Sequence, residues 1–242
     1  IVIGGGPGGY EAAALASRQG KSVALIEKDR LGGTCLNRGC VPTKCLCAAA
    51  DKLYEIAHCP DFGIELSGVK ADYAKAVSRS VDVVSALRGD VEALLADVDV
   101  FYGDAVLAEG RTVLAGEHFL KGREIIIATG SCPAPFPAQG GEFTENSDAF
   151  LQRDVLPERV AIVGGGVIGL EFASVIAAYG REVTVLEYCP EILPGFDAEV
   201  AKRLRTYLGR KGIRFVTKAK VTAVDANHTV YYESKGKELS LE

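Results

Sequence analysis

The 242-residue sequence contains no methionine and only three histidines, His58, His118 and His228. Without methionine, Ile1 is not a translational start, and the apolar stretch Ile1–Ile3 meets its glycine turn almost at once. Residues upstream are therefore expected; no secretory signal is visible, and a removed leader stays open. No run reaches the roughly 20 apolar residues of a membrane span, so no membrane partner is expected. Basic residues are in deficit, 27 Lys and Arg against 32 Asp and Glu, for a net charge of −5. That balance argues against nucleic acid or an anionic membrane as the main partner. The cysteines lack the paired short C-x₂₋₄-C loops of structural zinc, so no metal site is expected. What remains is a chain 48% hydrophobic, long enough to bury two modest cores. Its seven cysteines, an odd number, suit a reducing compartment better than a secreted disulfide scaffold. The cytoplasm is the expected location, or the mitochondrial matrix in a eukaryote.

Two segments share one design. The first is an apolar strand, the turn Gly4-Gly5-Gly6-Pro7-Gly8-Gly9, a helix ending near Gly20 and a strand Ser22–Ile26 closing on Glu27. In such a unit Gly4 makes the tight turn, Gly6 lets the backbone approach a pyrophosphate and Gly9 allows close helix–strand packing. Glu27 can accept hydrogen bonds from a ribose diol. The second has Gly164, Gly166 and Gly169, with Gly180 and Glu187 each 160 positions after Gly20 and Glu27. A lone G-x-G-x-x-G is weak, because glycines fall in many turns. Strand, helix, second strand and acid in register are strong, and two such units imply two dinucleotide sites. Glu187 would repel a ribose 2′-phosphate, and no arginine directly follows it, so NAD is preferred over NADP.

Between the units stands Gly32-Gly33-Thr34-Cys35-Leu36-Asn37-Arg38-Gly39-Cys40-Val41-Pro42-Thr43-Lys44. Five positions on a regular helix separate Cα atoms by about 8 to 9 Å. A disulfide wants roughly 4.4–6.8 Å. If Cys35 and Cys40 bond, the chain must leave helical geometry between them, and Gly39 permits it. Pro42 suits the first turn of the next helix. Cys40 would then lie at the positive end of the helix dipole, which favours negative charge on sulfur. A redox pair beside a nucleotide cofactor is the preferred reading, with a purely structural pair or a metal ligand set as alternatives. Cys45, Cys47, Cys59, Cys132 and Cys189 are expected to be small buried apolar residues.

Along the rest of the chain, helices are expected over 44–56, 72–97 and 197–211, and strands over 99–102, 105–108, 112–114, 124–128 and 213–217. The 72–97 helix carries Val77, Val81, Val84, Leu87, Val91, Leu94 and Leu95 at helical spacing. Its Lys75, Arg79, Asp82, Arg88 and Glu92 read as a solvated face. A hairpin is expected with strands over 221–224 and 229–233, turning across Asn227 and His228. The fold class is α/β with two Rossmann-like dinucleotide-binding domains, residues 1–148 and 149–242, each incomplete.

Gly32–Lys44, both fingerprints and the Ile125–Ser131 turn resemble the flavoprotein disulfide reductases, and within them the dihydrolipoamide dehydrogenases. The resemblance implies FAD on the first unit, NAD on the second and Cys35–Cys40 as the active disulfide. Cys35 would exchange with dihydrolipoamide or a lipoyl domain, and Cys40 would face the flavin. Gly4, Gly6, Gly9, Glu27, Gly33, Thr34, Lys44, Ala105, Thr129 and Gly130 would hold FAD. Lys44 and Glu171 would stand near the flavin ring, and Gly164, Gly166, Gly169, Glu187 and Val221 would hold NAD. It further implies a homodimer, service in a 2-oxo acid dehydrogenase complex, and a C-terminal interface domain absent from these residues. That domain would supply a histidine–glutamate base, so these residues alone are not expected to turn over dithiol. Mercuric reductases and glutathione reductases are the competing relatives, and a non-catalytic redox-sensing flavoprotein is the competing class.

Overall fold

Short apolar strands that run straight into glycine turns need their backbone groups paired on both sides, and parallel sheets supply that. The computed structural model describes all 242 residues. The first half runs β1 (Val2–Ile3), α1 (Pro7–Arg18), β2 (Ala24–Glu27), α2 (Gly33–Arg38), α3 (Cys40–His58), α4 (Tyr73–Leu94), β3 (Asp99–Tyr102), β4 (Ala105–Ala108), β5 (Thr112–Ala115), β6 (His118–Lys121) and β7 (Ile126–Ile127). The second runs α5 (Ser147–Phe150), β8 (Arg159–Val163), α6 (Val167–Ala178), β9 (Glu182–Glu187), α7 (Ala198–Arg210), β10 (Ile213–Thr217), β11 (Lys220–Val224), β12 (Val230–Ser234) and β13 (Lys237–Leu241). Two compact units result: Ile1–Pro42 with Arg79–Cys132, and Thr43–Ser78 with Pro133–Glu242. This division differs from a boundary at 148/149. Leu46 and Ala50 of α3 and Tyr73 and Val77 of α4 bury themselves among second-unit residues such as Val175 and Ile176.

In the first unit a parallel sheet has the order β3-β2-β1-β7. Side chains alternate across it as strand geometry demands. Val2 and Leu25 pack with Ala13, Ala14, Val91 and Leu95 from the helices. Ile3 and Ile26 pack on Val113 and Ala115 of the antiparallel sheet β4-β5-β6. The second unit repeats the plan with parallel order β10-β9-β8. Val183 and Val185 join the helical core, while Leu186 faces Val224, Val230 and Tyr232 of the antiparallel sheet β11-β12-β13.

The structure adds to the expected elements and corrects others. β13 pairs antiparallel with β12 and makes the hairpin three-stranded. Four of its five residues are exposed, so it is held by ladder hydrogen bonds and has no burial pattern for a sequence to show. The same holds for β6. The strand expected over 124–128 is two residues long, and α4 stops at Leu94. Along α4, Val77, Val84, Val91 and Leu95 are buried, but Val81 is 61% exposed and Ser80 takes the buried place beside it.

Leu46 is fully buried, so Leu46→Ala should cost about 2–5 kcal/mol. Val81→Ala should stay within about 0.5 kcal/mol. Denaturant unfolding of both variants checks the assignment, and equal losses would refute it.

Candidate redox and nucleotide-binding sites

The first glycine turn is built by contacts no other residue fits. A Cβ on Gly9 would stand 1.7 Å from the Gly4 carbonyl oxygen, and one on Gly4 would stand 2.2 Å from that of Ala128. Gly4 therefore seats the 128–130 turn, which brings Thr129 and Gly130 to the same strand ends. Gly33 opens α2 with φ +58°, and its Cβ would lie 2.6 Å from the Gly6 Cα, so the cysteine segment rests on the nucleotide turn. Glu27 ends β2 and is buried. One of its carboxylate oxygens accepts the Gly5 N–H at 2.6 Å and the other the Asp29 N–H at 2.8 Å.

The second unit reproduces this. Glu187 is buried and accepts the Gly165 N–H at 2.6 Å and the Cys189 N–H at 2.7 Å. A Cβ on Gly169 would meet the Gly164 oxygen at 2.2 Å. Each acid thus braces its own glycine turn. A carboxylate offers about four acceptor positions, so each keeps two for a ribose diol. The N-termini of α1 and α6 begin at Gly6 and Gly166 with no side-chain cap. Their positive ends suit a pyrophosphate. A Cβ on Gly166 would meet nothing within 4 Å, so the backbone there lies open to a ligand. These features fit a dinucleotide on each unit.

Because Glu187 braces its glycine turn through two backbone N–H groups, Glu187→Ala should lower the unfolding midpoint. Losing a charged partner from one buried and one part-buried N–H group costs about 1–3 kcal/mol. A melting curve tests it; an unchanged midpoint would refute the brace.

Cys35 lies in α2 and Cys40 is the first residue of α3. The helix breaks between them at Gly39, with φ −142° and ψ −114°. A Cβ on Gly39 would come 2.9 Å from the Thr34 carbonyl oxygen, which explains glycine there. Pro42 falls in the first turn of α3. All seven cysteines are thiols in the structure. None of the five read as buried is so: Cys45, Cys47, Cys59 and Cys189 are half-buried and Cys132 is exposed. Cys132 stands just before the proline-rich connector 133–137. Burial first, then the Glu171 carboxylate, push the Cys47 thiol up, with Lys44 partly opposing. Burial and then Glu187 push the Cys189 thiol up. Both shifts lower the thiolate fraction at neutral pH. No group of three or more His, Cys, Asp or Glu could hold a metal ion.

Lys44, one turn beyond Cys40 on α3, forms an ion pair with Glu171 of α6. The structure thus joins two residues 127 positions apart. Ala105 opens β4 and packs beside Ile3 and Ile26. Val221 packs sideways into the Leu186, Val224 and Tyr232 cluster. Arg88, read from the sequence as part of a solvated face, is half-buried, and Asn37 has no role in that reading. Arg88 is no plain surface cation: its Nε and Nη2 both donate to Asn37 Oδ1, at 3.1 and 2.8 Å.

A family model described as pyridine nucleotide-disulphide oxidoreductase matches residues 1–241. The chain belongs to this family. It is 41% identical over 251 residues to the dihydrolipoyl dehydrogenase of Acholeplasma laidlawii, covering 100% of this chain and 74% of that protein. It is 40% identical over 233 residues to that of Chlamydia pneumoniae, covering 93% of this chain and 50% of the relative. Among solved structures, the HOCl-induced flavoprotein disulfide reductase RclA from Escherichia coli superposes with a TM-score of 0.83 at 31% identity. That match covers 99% of this chain and 53% of RclA. The chain therefore spans about half the length of most of these relatives. No helix is long and apolar enough to cross a membrane.

Proposed function

We propose that these residues belong to an NAD-dependent dihydrolipoyl dehydrogenase, with FAD on the first unit and NAD on the second. The observation that carries the reading is the helix break at Gly39, which separates Cys35 from Cys40 directly beside the first glycine turn. The names of the sequence relatives support the dithiol substrate.

The thiol chemistry balances on the chain's own atoms. A thiolate of dihydrolipoamide attacks the Cys35 sulfur of the Cys35–Cys40 disulfide; a substrate–Cys35 bond forms and Cys40 leaves as thiolate. The second substrate thiol then displaces Cys35, closing the substrate disulfide and leaving the cysteine pair two electrons richer. When bound, FAD and NAD supply the two-electron carrier chemistry that takes these electrons onward. Gly4, Gly6, Gly9, Glu27, Gly33, Thr34, Ala105, Thr129 and Gly130 would hold FAD, with Lys44 at its ring and Glu171 holding the Lys44 ammonium. Gly164, Gly166, Gly169, Glu187 and Val221 would hold NAD. Burial of Glu187 beside Gly165 supports NAD over NADP, because a 2′-phosphate would meet a fixed negative charge. Deprotonation of the incoming thiol is assigned to the rest of the full-length protein. His58 and His228 here have Nδ1 against the backbone carbonyls of Tyr54 and Phe143. A homodimer serving a 2-oxo acid dehydrogenase complex in the cytoplasm, or in the matrix of a mitochondrion, completes the proposal.

The likeness to RclA favours a second reading, an NAD(P)H-driven disulfide reductase with another substrate. Steady-state assays of the full-length protein separate them. Rapid NAD⁺ reduction by dihydrolipoamide supports the first; NAD(P)H oxidation by other disulfides, with no dihydrolipoamide activity, supports the second.

A further inference from the structure

We infer that Arg88 is a positioning residue for the Cys35–Cys40 pair, acting through Asn37. The inference rests on the proposed redox role of those cysteines. Helix α2 has six residues and one buried side chain, Leu36. An isolated helix that short does not hold itself, because nucleation costs more than so few hydrogen bonds return. Its placement comes from Leu36, packed in the first unit's core, and from polar side-chain tethers. One is the Arg38–Asp29 ion pair, which is exposed on both sides and so contributes little.

The other tether is Asn37, which lies between the two cysteines in sequence. Its Nδ2 donates to the carbonyls of Leu31 at 3.0 Å and Gly33 at 2.9 Å, closing the loop that enters α2. Its Oδ1 accepts both Arg88 donors from α4. A primary amide has two donors and two acceptor positions, and here all four are used. Charge-assisted bonds from a planar guanidinium fork are stronger and more directional than neutral ones. The half-buried Arg88 thereby fixes α2, and with it Cys35, against α4.

The consequence is a redox one. Cysteines five positions apart reach bonding distance only while the break at Gly39 keeps one orientation. Holding α2 still keeps the two sulfurs at high effective concentration, which favours the disulfide. Loosening α2 frees the dithiol form, so the midpoint potential of the pair should rise.

The test uses the full-length holoenzyme equilibrated in dithiothreitol redox buffers, with Cys35 and Cys40 quantified by differential alkylation and peptide mapping. Arg88→Ala should shift the exchange equilibrium toward dithiol about tenfold, a rise of about 30 mV. Arg88→Lys, which keeps the charge but loses the fork, should fall between wild type and Arg88→Ala and serves if Arg88→Ala does not fold. Arg38→Ala, on the same helix, should leave the equilibrium within about twofold of wild type. Unchanged potentials in both Arg88 variants, or an equal shift in Arg38→Ala, would overturn the inference while leaving the redox reading intact. A wild-type protein that forms no Cys35–Cys40 disulfide would overturn both.

Discussion

Replacing Gly9 with alanine should collapse the first nucleotide site, while the same change at the adjacent Gly8 should do no harm. A Gly9 Cβ would stand 1.7 Å from the Gly4 oxygen, and both atoms belong to backbone already committed, Gly4 through its N–H to the Ile26 carbonyl. Overpacking against side chains costs about 1–3 kcal/mol, and a clash with fixed backbone costs more. Helix α1 must therefore tilt off the turn, and the cradle built from Gly4, Gly6 and Gly33 opens. Gly8 lies in the same helix with nothing within 4 Å of its Cβ position, so alanine there should stabilise by about 0.4–1 kcal/mol. Thermal unfolding and the yellow absorbance retained after gel filtration of the full-length protein report both effects. A Gly9→Ala protein that keeps its flavin and melts like wild type would show that this contact does not set the site. Gly169→Ala, with its 2.2 Å approach to the Gly164 oxygen, should instead spare the flavin and lose the nicotinamide nucleotide.

Cys40→Ser and Cys35→Ser should each reduce dihydrolipoamide oxidation by at least about a thousandfold, a barrier increase of about 4 kcal/mol. Neither serine can form the disulfide that the exchange consumes. The losses should not add in the double variant, because each single change already removes the whole pair. Cys132→Ser, at an exposed position outside both glycine turns, should leave the rate within about twofold. Stopped-flow assays of the four proteins decide the matter. A Cys40→Ser variant with more than a tenth of wild-type activity contradicts the mechanism.

What the sequence revealed depended on whether the physics was local. The glycine turns were legible because steric demands at Gly4 and Gly9 act over five positions, and because each acid closes a short unit that the chain contains twice. The break between the cysteines was legible for the same reason: Gly39 is the one residue there whose missing Cβ clears the Thr34 oxygen. Strands β6 and β13 were not, since exposed residues such as Phe119 and Leu239 carry no alternation to read. Nor did the helical spacing of α4 tell which apolar positions would find a partner: Val77 joins the second unit's core and Val91 the first. Lys44 and Glu171 are each placed near the flavin ring by family resemblance, but their ion pair with one another is legible only in the fold. The Arg88–Asn37 contact had no local signal at all, because an arginine on an amphipathic helix looks the same whether it faces water or a half-buried amide.

The account depends most on which sulfurs bond. Peptide mapping of the full-length protein, oxidised and then treated with one equivalent of dihydrolipoamide, measures this directly. A single disulfide joining Cys35 to Cys40, opened by the dithiol with the other five cysteines unchanged, is the expected result. If Cys35 and Cys40 remain separate thiols in the oxidised protein, or pair with other cysteines, the proposed electron path does not exist.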